Sequence, residues 1–285
     1  MPSFVCSVAK SGLGPCDARY LAQAISFSIS IRSLSLAGNK KLTDGGYDMK
    51  GMNAIADMVI ASVSLTSLDL SSCNLTGYGR DMTIIKTLAD ALRVSAEVKI
   101  LNLLSNYIDQ DGYDMLVSAA EDAGILTLCG FEEGESKADL SGQQLGSIDA
   151  GVIGRELTIG FGSSLTSLNL STCKLMRGKR IEWLVGQFDD HYKTDRAGIG
   201  AIAAGLGAST SLTKLAIWDN NIGAEGATAI VNAAPAHMRT VCGDMFEEGQ
   251  TEADLSDKKL GPEGAILVAW DLRAGFIHDS LTSLK

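Results

Sequence analysis

The sequence predicts an α/β solenoid of stacked strand-and-helix units, and three observations carry that prediction. The phrase SLTSLDLSSCNL at 64–75 returns as SLTSLNLSTCKL at 164–175, and SLTSLK occupies 280–285. Strand-like phrases beginning at Ile31, Leu65 and Val98 are separated by 34 and 33 residues, a spacing that marks stacked supersecondary units. The 285 residues are 46% hydrophobic with 31 glycines but only 6% aromatic, which suits a repeated layer of small and medium side chains.

Each strand phrase has the same grammar: apolar, two variable residues, apolar, one variable, apolar, two more, then Asn or Cys. In order these are IRSLSLAGN from Ile31, LTSLDLSSC from Leu65, VKILNLLSN from Val98, LTSLNLSTC from Leu165 and LTKLAIWDN from Leu212, with ILTLCG from Ile125 as a related shorter phrase. Helical spacing follows each. DGYDMLVSAAEDAG from Asp111 and GAEGATAIVNAA from Gly223 place Ala, Ile, Leu and Val at intervals of three and four behind an N-terminal Gly or Asp. One such unit cannot bury its apolar face alone, whereas a stack of them can.

A longer period overlies the short one. LCGFEEGESKADLSGQQLG from Leu128 recurs as VCGDMFEEGQTEADLSDKKLG from Val241, with Asp139 matching Asp254 and Gly146 matching Gly261. Residues 11–25, SGLGPCDARYLAQAI, align with KKLGPEGAILVAWDL, so Gly14 joins the same series. The chain therefore contains parts of three super-modules, with irregular openings near 128–146 and 241–261. SLTSLK starts a strand phrase without its Asn or Cys, and on that basis a single solenoid over 1–285, truncated at its C-terminus, is expected.

These phrases resemble leucine-rich repeats, and NNIGAEGATAIV at 220–231 is similar to the ribonuclease-inhibitor-like subclass. The resemblance implies a curved solenoid with parallel strands on the concave face, helices on the convex face, protein binding, and no catalysis by the repeats. It also gives the slot after each strand a role. Asn39, Cys73, Asn106, Cys173 and Asn220 fill it, and a small polar side chain there supplies partners to a buried turn.

Candidate binding residues follow from comparing the repeats with one another. The third, fifth and seventh letters of each strand phrase point to the concave face by period two. Most are small or polar; Ser33, Ser35, Ala37, Ser67, Ser71, Ser167, Ser171 and Ala216 are the bland ones. Asp69, Asn102, Asn169, Lys214, Ile100, Leu104 and Trp218 stand out, and Trp218 is the chief anchor candidate because interfaces concentrate energy in Trp, Tyr and Arg. Trp270 aligns with Arg155 and Gln23 and is expected on the outer side of its helix.

Leu165 to Leu212 spans 47 residues, and the excess lies in an insertion at about 176–196. There Ile181, Leu184, Val185, Phe188 and Tyr192 have helical spacing, Trp183 falls off that stripe, and Arg177, Lys179 and Arg180 read as a solvated helix end.

The charge balance of 34 acidic against 24 basic residues, net −10, argues against nucleic acid and anionic lipid as main partners. No apolar run reaches the length of a membrane span, and MPSFVCSVAKSGLGP is not a secretion signal. Cys129 and Cys242 match in the long period, as Cys73 and Cys173 do in the short one, which leaves Cys6 and Cys16 and no disulfide framework. Reduced thiols and an intracellular, cytoplasmic location are expected. His191, His237 and His278 lie in different units without a nucleophile at motif spacing, so no enzyme, metal or cofactor is expected.

The functional expectation is a non-catalytic scaffold or adaptor that binds another protein through the concave strands and the insertion. The alternative is an architectural subunit of a larger assembly, using Trp183 and Trp270. A GTPase-activating protein of similar repeat class is a third reading, weakened because no strongly acidic tail follows the repeats.

Overall fold

The computed structural model describes residues 4–180, 192–246, 249–256, 260–274 and 280–285. The chain divides into two compact units, Met1–Glu132 with Lys179–Lys193, and Glu133–Gly178 with Thr194–Lys285.

In the first unit, strands β1 (Phe4–Ser7), β2 (Ile31–Ser35), β3 (Ser67–Asp69) and β4 (Ile100–Asn102) form a parallel sheet in sequence order. Helices α1 (Pro15–Ser26), α2 (Lys50–Ala61), α3 (Thr83–Val94) and α4 (Gln110–Ala123) follow the strands one by one, and each packs on the next. The helix α3, TIIKTLADALRV, shows why. Ile84, Ile85, Leu88, Ala89 and Leu92 fall on one face at helical spacing, and all are buried. Between the layers sit the invariant letters of the strand phrase, including Leu34, Leu36, Leu68, Leu70 and Leu101.

In the second unit, β5 (Lys137–Asp139), β6 (Ser167–Asn169) and β9 (Lys214–Ala216) form a parallel sheet, with α5 (Ser147–Glu156), α6 (Ala197–Ala208), α7 (Gly223–Ala233) and α8 (Gly261–Ala274) stacked in order. β10 (Glu252–Ala253) and β11 (Ser283–Leu284) make a further parallel pair. β7 (Arg177–Arg180) and β8 (Tyr192–Thr194) pair with each other.

This last pair corrects an expectation. The basic cluster at 177–180 lies on a strand rather than a helix end, and Tyr192 opens a strand rather than completing a helical stripe. Backbone pairing between the two arms of the insertion overrides the apolar spacing of a short segment. Residues 181–191, with Trp183 and His191, lie outside the described residues.

The recurring SLTSL phrase binds neighbouring repeats together. Thr66 Oγ1 donates to Arg32 O at 3.1 Å, Thr166 Oγ1 to Ser136 O at 2.9 Å and Thr213 Oγ1 to Thr166 O at 3.1 Å, each a carbonyl of the preceding repeat. Ser64 Oγ reaches back to Ile31 O, and Ser211 Oγ to Leu165 O. The hydroxyls thus satisfy carbonyls at the strand entrances that the sheet leaves over.

The long period also has a structural meaning. After β4 the chain does not form a fifth strand; it makes bridges at Thr127 and Cys129 and turns away at Gly130. After β9 the same happens at Thr240, Cys242 and Gly243. Thr127 Oγ1 accepts from Cys129 N at 3.0 Å, and Thr240 Oγ1 from Cys242 N at 3.1 Å, which holds each turn closed. The Thr-x-Cys-Gly sequence is therefore a sheet terminator, and ADLS begins the next sheet.

Candidate functional site

The slot after each strand forms a buried ladder. Asn39 Nδ2 donates to Val8 O and Leu36 O, at 2.9 and 2.7 Å. Asn106 Nδ2 donates to Leu70 O at 2.8 Å while its Oδ1 accepts from Cys73 N at 3.0 Å; Asn220 repeats this with Leu170 O at 2.7 Å and Cys173 N at 2.8 Å. At the cysteine rungs a thiol does the donating, Cys73 Sγ to Leu36 O at 3.1 Å and Cys173 Sγ to Leu140 O at 3.0 Å. Every rung reaches a carbonyl of the repeat before it.

Burial pushes the Cys73 thiol up to about 12 and the Cys173 thiol up to about 11, so both stay protonated donors at neutral pH. All six cysteines are free thiols.

The strand faces are read in rows because the registers are parallel. In the first unit the rows are Ser33, Ser67, Ile100 and Ser35, Asp69, Asn102; in the second they are Lys137, Ser167, Lys214 and Asp139, Asn169, Ala216. Neighbouring strands lie about 4.8 Å apart, so each row is a continuous strip across its sheet.

Asp69, Asn102, Asn169, Lys214, Ile100 and Trp218 are half-buried. Three of them also spend an oxygen on their own backbone. Asp69 Oδ1 accepts from Ser71 N at 3.0 Å, Asn102 Oδ1 from Leu104 N at 3.2 Å and Asn169 Oδ1 from Ser171 N at 3.0 Å. Asp139 does the same for Ser141 N, and its hydrogen bonds to Ser141 hold the carboxyl below the usual range. An Asp or Asn at this letter thus closes the end of its strand as well as lining the face, a double role the spacing alone did not reveal.

Two candidates are not where the sequence placed them. Leu104 is 2% exposed rather than open on the concave face. The terminator explains it: Leu103 N donates to Leu128 O, Gly130 N donates to Leu101 O, and a Cβ on Gly130 would meet Asn102 Cβ at 2.8 Å, so the face open at β2 and β3 is covered at the end of β4. Ala216 is buried under the equivalent turn, where a Cβ on Gly243 would collide with it.

Trp270 is 9% exposed rather than on the outside of α8. It stands three residues beyond buried Leu267 and beside buried Asp271, at the margin of the helix's apolar stripe, where a large indole folds inward as Arg155 and Gln23 need not.

A cluster on the first unit escaped the strand-based search. The loops TDGGYDM, 43–49, and TGYGRDM, 76–82, share one backbone: Thr43 and Thr76 receive the turn, and Asp48 and Asp81 accept from Lys50 N and Thr83 N. Tyr47 and Arg80 hold the same place in successive loops and so lie side by side, the guanidinium 5.9 Å from the ring centroid and its Nη1 donating to Tyr47 Oη at 3.3 Å. Tyr78 stacks at 5.2 Å on Tyr107, both in the left-handed region. The insertion in the second unit opens at the corresponding loop, and Asp195 caps Ala197 N there as Asp81 caps Thr83 N. The signal was the repeated T-x-x-G-x-D-M phrase.

Two segments, 61–81 and 208–231, match the Leucine Rich repeat family model, and each spans a helix end, a strand and the turn that follows. Given the strand order, the ladder and these matches, the chain is an α/β leucine-rich-repeat protein. The solved structure of the leucine-rich repeat-containing protein LegL7 from Legionella pneumophila is similar at 17% identity and a TM-score of 0.37, covering 100% of this chain and 83% of that one. No curated protein matches in sequence. Among the described residues no helix is long and apolar enough to cross a membrane.

Proposed function

We propose that the chain is a non-catalytic protein-binding scaffold whose strand faces, with the insertion at about 176–196, take up another protein. Leucine-rich repeats typically serve as binding scaffolds, and the observation that supports this use here is the row structure of the second unit. Lys137 and Lys214 flank Ser167, Asp139 and Asn169 lie one row on, and half-buried Trp218 follows at the end of β9. A fixed indole beside spaced cations and amides offers both an apolar anchor and a polar rim. The unit's terminator leaves Trp218 accessible while covering Ala216. The architectural alternative loses its contact at Trp270, which is buried.

The test is capture of binding proteins on the purified chain beside Trp218→Ala and Lys214→Glu variants, with circular dichroism to verify folding and the captured protein then titrated directly. An anchoring role predicts that Trp218→Ala weakens the titrated affinity by about 2 kcal/mol or more, roughly thirtyfold. Equal affinity for the wild type and both variants would remove the strand face from the binding site.

A further inference from the structure

The first unit carries an exposed apolar stripe along the rim where each helix hands over to the next strand. Aligned on the strand phrase, Ile29 and Val63 occupy one position in successive repeats, and Phe27 and Val94 occupy the position two residues earlier. All four are exposed, Phe27 at 82% and Val63 and Val94 at 66% each, and Ile60 and Leu126 extend the stripe. In the second unit Ser163 and Thr210 stand at the Ile29 position, so the repeat itself does not require an apolar residue there. A chain with only 6% aromatic residues nonetheless leaves Phe27 in solvent.

We propose that this rim is a self-association surface on which a second copy of the chain docks antiparallel about a two-fold axis. The stripe follows the repeat, so apolar residues meet apolar residues when it is laid against itself, as a two-fold contact requires. Charge then fixes the direction. Arg32, exposed beside Phe27, is the sole charged residue between Tyr20 and Asn39. The opposite end, around Val94 and Leu126, holds four carboxylates (Asp90, Glu97, Glu121, Asp122) against two cations, Arg93 and Lys99. An antiparallel arrangement brings each Arg32 to the acidic end of its partner, whereas a parallel one sets like ends together. A net charge of −10 makes an anionic membrane a poor occupant of the same stripe.

Sedimentation velocity of the full chain across the micromolar range tests this, with Val63→Asp and Phe27→Ser as disrupting variants and Thr210→Asp, at an exposed position, as the matched control in the second unit. The expected result is a concentration-dependent species of twice the monomer mass in the wild type and in Thr210→Asp, absent in both disrupting variants. Arg32→Glu should weaken the association by about tenfold at low salt, and by less as salt rises. Because Val63 and Phe27 are exposed, their replacement leaves the core intact, and thermal melts verify it. A wild type that stays monomeric throughout, or a dimer that survives both Val63→Asp and Phe27→Ser, overturns the proposal. Association that Arg32→Glu leaves unchanged overturns the antiparallel arrangement.

Discussion

At the scale of single residues, the ladder shows how one position can accept two chemistries at unequal cost. Asn106 satisfies Cys73 N and Leu75 N through Oδ1 and Leu70 O and Leu103 O through Nδ2, all of them buried. A cysteine in the same slot offers one weak donor, so Cys73 serves Leu36 O and leaves the accepting to Asn106 in the next repeat. Truncation should therefore hurt the two rungs differently. Asn106→Ala orphans several buried backbone groups and is expected to cost about 3 kcal/mol or more, while Cys73→Ala removes one weak bond and a small volume for about 1–2 kcal/mol. Urea unfolding of both variants measures the gap, and equal losses would mean that water enters the Asn106 cavity and replaces its bonds.

At the scale of elements, glycines decide how closely helices of the second unit approach. A Cβ on Gly205 would strike Gly154 O across the α5–α6 contact, and one on Gly198 would strike Ser147 O, whereas Gly200 and Gly151 face open space. Alanine favours a helix over glycine by about 1 kcal/mol, so Gly200→Ala should stabilise by roughly 0.5–1 kcal/mol. Gly205→Ala gains the same propensity but must push two backbones apart, and it is expected to destabilise by more than about 1 kcal/mol. Thermal melts of the pair give opposite signs if packing, not propensity, governs α6. The strands, the helices and the ladder positions were legible because each rests on a short period written into the residues. Leu104 and Trp270 were not, because their burial is set by the terminator's fold-over and by the margin of α8, which the local period does not encode. The Tyr47, Arg80, Tyr78 and Tyr107 cluster was hidden for a related reason. Its members come from loops that coincide only after the repeats stack.

At the scale of the whole molecule, stability in a stack of repeats depends on how each sheet ends, because an unclosed edge leaves donors without acceptors. In the second unit the closure is a carboxylate. Asp271 on α8 accepts from Val241 N at 2.8 Å, from Thr240 Oγ1 at 2.6 Å and from Cys242 N at 3.3 Å, standing in for the carbonyls that another strand would present. Glu156, buried at the corresponding place on α5, repeats the acidic choice. Burial raises the Asp271 carboxyl above its ordinary 3.8, against the lowering effect of those hydrogen bonds, and also raises the neighbouring Cys242 thiol. The folded chain then holds this proton more tightly than the unfolded chain. Its contribution is fullest below about pH 4 and is lost as pH rises through the folded value. Subtracting the urea stability of Asp271→Asn from that of the wild type at each pH from about 4 to about 8 isolates the effect, and the difference should fall with pH and then level off. A difference that rises with pH would mean that the three donors outweigh burial and that the terminator is held by an ionised carboxylate. Hydrogen exchange should place the lost protection of Asp271→Asn first in α8 and the turn at 240–243, then in β9, since each repeat leans on its neighbours.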